Sequence, residues 1–226
     1  MTDIIAQLDE AIEAKSLLKH PFYKAWSEGQ LTIPMLQGYA AQYYHNEMAF
    51  PTYLSAIHSR SSSPSVRQLI LTNLWDEEYG ENNHPELWLR FCEALGLDRE
   101  EVQREPLLPE TRRLMDTYRQ ITTSSSTAES LAAMYAYERQ IPAIALTKVA
   151  GLKDFYGIDD PTSLEFFTVH MEIDPHHADA EARAIRNEAV TETEKNGVLR
   201  TAESALDAQW GFLDGAYRLS GLKEDS

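Results

Sequence analysis

The segment HMEIDPHH, at positions 170 to 177, concentrates side chains that can bind metal ions. At about 100° per residue, positions 170, 174 and 177 of a helix fall within roughly 60° of arc. His170, Asp174 and His177 therefore share one stripe, and the last two have the carboxylate-x-x-His spacing of metal-binding bundles. Core-type residues flank the stripe, which favours a buried metal site over a polar outer face. His176 lies about 100° off the stripe and is expected to be exposed or behind the ligands.

A metal site in a bundle needs ligands from other helices, and residues 75 to 84 (WDEEYGENNH) offer the first candidates. Glu81 precedes His84 by three positions, which is the ideal spacing on a regular helix. Glu77 precedes it by seven, on the same face but roughly 10 Å away along the axis. Gly80 and the two asparagines could distort the helix and bring Glu77 closer. The periodicity leaves both glutamates open as ligands.

Glu138 is the second candidate partner, because it lies in an apolar and aromatic run, MYAYERQIP. An unpaired carboxylate is costly in such surroundings. Pro142 lacks the N–H that would bond the carbonyl of residue 138, so we expect a kink there. Pro175 predicts a similar interruption beside Asp174. Buried charge with local distortion favours metal ligation over a structural salt bridge.

Three carboxylates and three histidines match a site for two metal ions with mixed oxygen and nitrogen ligands. Such a set suits iron or manganese with open positions for O₂. Zinc hydrolases usually need fewer ligands. The single cysteine, Cys92, follows the apolar face of its helix and is predicted to be a small core residue.

Helix signals recur along the whole chain, whereas strand signals are nearly absent. Thr32 and Ser63 are typical N-caps, each followed by a proline in the first turn, and Gly96 is a typical helix stop. We therefore predict an all-α bundle of about seven or more helices that forms one domain over residues 1 to 226.

Composition excludes several classes of partner. The net charge of −16 argues against nucleic acid and against an anionic membrane surface. The first fifteen residues predict an amphipathic helix and not a signal peptide, and no apolar run approaches the length of a membrane span. One cysteine permits no intrachain disulfide, so a cytoplasmic location is expected.

Five stretches carry a family resemblance that runs nearly end to end: HPFYKAW, YYHNEMAFPTYLSAIHSR, NLWDEEYGENNHPELW, YAYERQIPAIALTKVAGL and FFTVHMEIDPHHADAE. The chain resembles the family of the Chlamydia protein associating with death domains, a folate-metabolism group with a haem-oxygenase-like fold. The related TenA and PqqC groups share that fold but not this ligand set. A TenA-like thiaminase would also need a catalytic cysteine.

The resemblance implies a dimetal oxygenase that makes 4-aminobenzoate with Fe/Fe or Fe/Mn, O₂, an external reductant and an unidentified electron donor. It implies a homodimer as well, which is usual for the fold. It also selects Glu77 over Glu81. The metal ligands it implies are Glu77, His84, Glu138, His170, Asp174 and His177.

The resemblance further implies that the product ring comes from the enzyme's own Tyr23, and that Lys148 donates the nitrogen. Tyr43 is expected near the site as a hydrogen-bond partner or radical relay. From the residues alone, Tyr23 would be assigned to an aromatic core. Lys148 lies ten residues after Glu138, about 15 Å along an ideal helix, so it would need the kink at Pro142 to approach the metals.

Other functions remain open from the sequence. A multi-turnover dimetal oxygenase acting on an external small molecule would use the same ligands and spare Tyr23. A helical binding protein without chemistry would use the histidine and carboxylate stripe only for structure. A PqqC-like or TenA-like helical protein is the remaining alternative.

Overall fold

The computed structural model describes residues 3–221. Within this range the chain forms eleven α-helices, one short 3₁₀ turn and no strand, which confirms the predicted all-α class. The helices are α1 (Ile4–Ala14), α2 (Pro21–Ser27), α3 (Ile33–Arg60), α4 (Pro64–Glu78), α5 (His84–Ala94), α6 (Arg99–Arg104), α7 (Pro109–Ser124), α8 (Thr127–Glu138), α9 (Ile141–Phe155), α10 (Pro161–Glu188) and α11 (Glu192–Ser220).

Local signals start and stop these helices largely as the sequence predicts. Thr32 and Ser63 precede α3 and α4, and each of these helices has a proline in its first turn. Asn83 is the N-cap of α5, and its side-chain Oδ1 accepts a hydrogen bond of 3.0 Å from the Glu86 N–H. Gly96, with a left-handed φ of 84°, follows the end of α5, where a residue without a Cβ adopts that conformation at no steric cost.

Two prolines act differently from one another. The predicted kink near Pro142 is a break between two helices, since α8 ends at Glu138 and α9 begins at Ile141. Pro142 lies in the first turn of α9, where a missing N–H has no intrahelical partner to lose. The interruption predicted at Pro175 was wrong. α10 continues through this residue, whose side chain is exposed on the outer face of the helix.

The longest helices enclose the core. α8 packs between α10 and α11, α9 packs on α10, and α3 packs on α4 and α7. α5 lies against both α3 and α10. One face of α10 is therefore covered by helices on several sides, which is the enclosure that a buried polar site requires. No helix within residues 3–221 is long and apolar enough to cross a membrane.

Candidate metal centre

The structure brings the six candidate ligands together in the interior, although they come from four helices. α4, α5 and α8 supply one side chain each, and α10 supplies three. Every one of them is at most 8% exposed. They are Glu77, His84, Glu138, His170, Asp174 and His177. The distances between their polar atoms separate them into two halves.

The first half is formed by Glu77, His84 and His170. His84 Nδ1 lies 2.7 Å from Glu77 Oε2, and the rings of His84 and His170 have centroids 4.3 Å apart. His170 Nδ1 lies 2.7 Å from the carbonyl oxygen of Phe166. A donor bond to that carbonyl fixes the ring's orientation and leaves Nε2 for a metal ion, as is common for metal-binding histidines.

The two glutamates that the sequence left open have different environments. α4 ends at Glu78 and α5 begins only at His84, so helical spacing does not relate Glu81 to His84. Gly80, with a left-handed φ of 89°, lies in the connecting turn. Glu81 is exposed, whereas Glu77 is 3% exposed beside His84. This geometry agrees with the family-implied choice of Glu77.

The second half contains Glu138, Asp174 and His177. His177 Nδ1 lies 3.9 Å from Glu138 Oε2 and 3.9 Å from Asp174 Oδ1. The other ring nitrogen, Nε2, lies 3.2 Å from Asp76 Oδ2, so Nδ1 is the atom left for a metal. Asn73 donates a hydrogen bond of 2.8 Å to Glu138 Oε1. Each half therefore has a histidine whose second nitrogen is held by a neighbouring group. His176 is exposed, as predicted.

Two further buried carboxylates lie at the site and were missed by the sequence reasoning. Glu47 of α3 is 4% exposed, and its oxygen and the ring nitrogens of His84 and His170 all lie within 4.8 Å of one another. Glu181 of α10 is completely buried. Glu181 follows His177 by four residues, so continuing the helical stripe by one turn would have found it. Glu47 carried no comparable signal.

The raised pKa values of the buried carboxyl groups show that their ionisation is unfavourable when no cation is bound. Burial, followed by the charge of Glu77, raises the pKa of Glu47 to about 8. Burial also raises the pKa of Glu138 to about 8, against the hydrogen bond from Asn73. For Asp174, burial and then the Glu138 carboxylate raise the pKa well above its usual range. These carboxyl groups resist ionisation because burial and their mutual repulsion outweigh the opposing charges of His84 and Lys148.

Several buried polar atoms of the second half have no hydrogen-bond partner among the described residues. They are Glu138 Oε2, Asp174 Oδ2, His177 Nδ1 and both carboxylate oxygens of Glu181. Buried polar atoms are normally paired, and exceptions need a cause such as an ion. Oxygen and imidazole donors at this density suit iron and manganese. The residues therefore fit a pair of divalent metal ions.

A second polar cluster lies beside the ligands and contains the other three candidate residues. Lys148 is buried, and its Nζ donates a hydrogen bond of 2.7 Å to Tyr39 Oη. Tyr39 Oη is 3.3 Å from Tyr23 Oη, and Lys148 Nζ lies 5.4 Å from the centroid of the Tyr23 ring. Tyr43 Oη contacts Tyr137 Oη. We call these five residues the tyrosine–lysine cluster.

Close packing of α2 on α9 positions this cluster. A Cβ built on Gly151 would lie 2.7 Å from Trp26, so only glycine permits the approach. Trp26 Nε1 donates a hydrogen bond of 3.2 Å to the carbonyl oxygen of Lys148. The break after Glu138 redirects α9, and the contact with α2 then sets Lys148 opposite Tyr23.

A small cavity of about 30 Å³ opens among these side chains. Tyr23, Tyr39, Tyr43, Tyr137 and Lys148 all contribute to its wall. A cavity of this size has room for one or two water molecules. Cys92 is not one of these residues. It is buried in the core, as predicted, and burial raises the pKa of its thiol to about 12.

Comparison with known proteins decides the family. A family described as an iron-containing redox enzyme matches residues 37–210. The chain belongs to this family. A protein of Nitrosomonas europaea named 4-aminobenzoate synthase is 45% identical over 220 residues, covering 93% of this chain and 89% of its own. A protein of the same name from Chlamydia muridarum is 40% identical over 212 residues, covering 94% of this chain and 89% of its own.

The fold agrees with that membership. A solved structure from Shewanella denitrificans, described as having a haem-oxygenase-like fold, superposes with a TM-score of 0.78 at 19% identity. It covers 95% of this chain and 89% of its own. The resemblance inferred from the sequence is therefore confirmed for family and fold, and the chain is an enzyme of the oxygenase type.

Proposed function

We propose that the protein is a 4-aminobenzoate synthase that consumes its own Tyr23 side chain. The observation that carries this proposal is the position of Tyr23 and Lys148 in one hydrogen-bonded chain. Lys148 in turn is close enough to Glu47 and His170 to interact electrostatically with both. A bound pair of metal ions, Fe/Fe or Fe/Mn, would supply the activation of O₂ with electrons from an external reductant. The relatives' printed name supports the product assignment.

Lys148 has the properties of a nitrogen donor. Burial lowers the pKa of its ammonium to about 7, against the opposing charge of Glu47. A large share of the side chain is then a neutral amine at neutral pH, and the neutral amine carries the lone pair that bond formation needs. An exposed lysine would be almost fully protonated at the same pH.

Tyr23 is held as a neutral phenol close to that amine. Burial raises the pKa of Tyr23 far above its usual range, although the hydrogen bond with Tyr39 opposes the shift. Tyr39, Tyr43 and Glu47 follow one another at four-residue intervals on α3 and so share one face of the helix. We propose that this face links the metal centre to Tyr23, with Tyr43 as the relay nearest the metals.

The size of the cavity favours Tyr23 over an external substrate. A cavity of about 150 Å³ accommodates benzene. The cavity beside Lys148 measures about 30 Å³, which leaves no room for an added aromatic ring. The walls are largely aromatic, so little water competes for the reactive groups. An aromatic ring is already present there only as part of the protein.

Ring-labelled protein tests the proposal. The protein is produced with tyrosine labelled in the ring, loaded with ferrous iron and exposed to O₂ and a reductant. We expect labelled 4-aminobenzoate at no more than one molecule per chain. The peptide that contains residue 23 should lose the mass of the side-chain ring, and the peptide that contains Lys148 should lose its side-chain nitrogen. Unlabelled product at many turnovers per chain would instead support a dimetal oxygenase that acts on an external molecule.

A further inference from the structure

Glu47 has the position of a metal ligand in the first half of the site. One carboxylate oxygen of Glu47 and one ring nitrogen each of His84 and His170 lie within 4.8 Å of one another. Three equally spaced atoms bound to one ion at about 2.1 Å are at most about 3.6 Å apart. Shifts of less than about 1 Å in each side chain would therefore bring all three atoms onto a single ion. Glu77 joins the same group through its 2.7 Å contact with His84.

Glu181 is the candidate in the second half. It lies on α10 one helical turn beyond His177 and two turns beyond Asp174, on the same face of the helix. Its side chain is completely buried, and neither carboxylate oxygen has a hydrogen-bond partner among residues 3–221. A carboxylic acid in a core normally donates or accepts hydrogen bonds. Two unpaired oxygens next to this stripe instead indicate an ion as the missing partner.

The charges of the whole site are consistent with both residues as ligands. The five buried carboxylates would carry five negative charges if all were ionised. Two divalent ions would neutralise four of those charges. Buried charge is stable only when it is balanced.

We propose that each metal ion has four protein ligands, and that Glu47 and Glu181 are the two absent from the family-implied set. The first ion is held by Glu47, Glu77, His84 and His170. The second ion is held by Glu138, Asp174, His177 and Glu181. This inference rests on the metal pair of the proposed function, but it does not depend on the fate of Tyr23.

Metal titration tests the inference without any turnover. The metal-free full-length protein is titrated with Mn²⁺, and the free ion is followed by electron paramagnetic resonance. We expect two ions to bind the wild type. Glu47→Gln and Glu181→Gln should each weaken one of the two binding steps by about 100-fold or more, since even residues behind a ligand change metal affinity 10- to 100-fold. Glu81→Gln, an exposed glutamate near the site, is the matched control and should bind like the wild type.

Thermal unfolding of the metal-free variants separates ligation from a structural role. Glutamine keeps the size of glutamate, so neither variant should melt at a lower temperature than metal-free wild type. A carboxylate that served the structure would give a lower melting temperature. Glu47→Met and Glu181→Met repeat both measurements with apolar side chains of similar volume, should an amide alter folding.

Each outcome bears on one proposal. Mn²⁺ affinities within threefold of wild type in either glutamine variant would overturn the assignment of four protein ligands to each ion. A lower melting temperature of either metal-free variant would overturn it as well. Wild-type protein that binds fewer than two ions would overturn the metal pair itself. Unlabelled 4-aminobenzoate from labelled protein, with both Mn²⁺ results as expected, would remove the role of Tyr23 and leave this inference standing.

Discussion

Two adjacent regions of this interior are equally buried but differ in how their polar groups are paired. In the tyrosine–lysine cluster, the amine of Lys148 and the hydroxyls of Tyr23 and Tyr39 contact one another. In the second half of the ligand cluster, Asp174 Oδ2 and both oxygens of Glu181 have no partner among the described residues. The first region pairs its polar groups with one another, whereas the second leaves these oxygens without a partner among residues 3–221.

This difference separates two requirements of the proposed reaction. The ligand cluster determines whether metal ions bind, and the tyrosine–lysine cluster determines what happens once they are bound. Substitutions in the two regions should therefore have separable effects. A change in the tyrosine–lysine cluster should spare metal binding, and a change in the ligand cluster should spare the folding of the metal-free protein.

The largest expected effect is that of Tyr23→Phe on product formation. Loss of one hydroxyl leaves the packing volume nearly unchanged, so the variant should fold and bind two metal ions. It should form no 4-aminobenzoate, because phenylalanine lacks the phenol from which oxidation starts. Product is measured by mass spectrometry per chain. Tyr53→Phe, which changes a buried tyrosine of α3 outside the tyrosine–lysine cluster, is the control and should retain wild-type yield. Normal product from Tyr23→Phe would end the self-consuming mechanism.

The next effect distinguishes Glu77, at the end of α4, from Glu81, in the turn that follows. Glu77→Ala should lose one metal ion and abolish activity, because it removes a buried oxygen 2.7 Å from His84 Nδ1. Glu81→Ala should keep both ions and activity within about twofold of wild type, since surface substitutions usually have little effect. Metal analysis of desalted protein provides the measurement. The reverse pattern would show that helical spacing had been the better guide.

Glu77 and Glu81 also show what could and could not be predicted from the sequence. Periodicity placed His170, Asp174 and His177 on one face because α10 is continuous. Periodicity favoured Glu81 over Glu77 only as long as a single helix was assumed to reach residue 84. Glu181 obeys the same rule as the stripe and was missed because the pattern was not extended by one turn.

Glu47 illustrates the remaining limit. It belongs to α3, where it follows His45 and Asn46, and no helical spacing to another candidate ligand marks it. Its proximity to His84 and His170 arises from the packing of α3 on α5 and of α5 on α10. Contacts of this kind arise from tertiary packing, and the spacing of residues along the sequence does not predict them. The same holds for Tyr23 and Lys148, which only the family resemblance singled out.

A smaller effect is expected for Asp76→Asn, which alters the support of a ligand. The Asp76 carboxylate accepts a hydrogen bond from His177 Nε2 and so directs Nδ1 at the site. An amide can present its N–H instead and favour the wrong tautomer. Metal affinity should fall 10- to 100-fold, with two ions still bound at saturation. Glu78→Gln, an exposed neighbour at the end of α4, is the control. Unchanged affinity would show that Asp76 does not orient the histidine.

The smallest effect concerns the pH dependence of the metal-free protein. Glu47 and Glu138 have folded pKa values of about 8, above those of an unfolded chain, so the folded state holds their protons more tightly. The stability they contribute is complete below the unfolded pKa and is lost as the pH rises towards 8. Burial lowers the pKa of His84, but Glu77 and the other nearby carboxylates raise it to about 9, so this group acts in the same direction above pH 6.5.

The lowered pKa values of His170 and His177 have the opposite sign, since burial opposes their protonation. Their contribution is lost only as the pH falls below about 6.5. Between about pH 6.5 and 8, the carboxyl groups therefore dominate, and the melting temperature of metal-free protein should fall by at least about 5 °C. Metal-loaded protein should not show this decline, because the ions stabilise the ionised carboxylates. Glu138→Gln should flatten the metal-free curve. A metal-free melting temperature that stays constant or rises over this range would contradict the contrast between the two regions, because the ligand cluster would then tolerate its charges without cations.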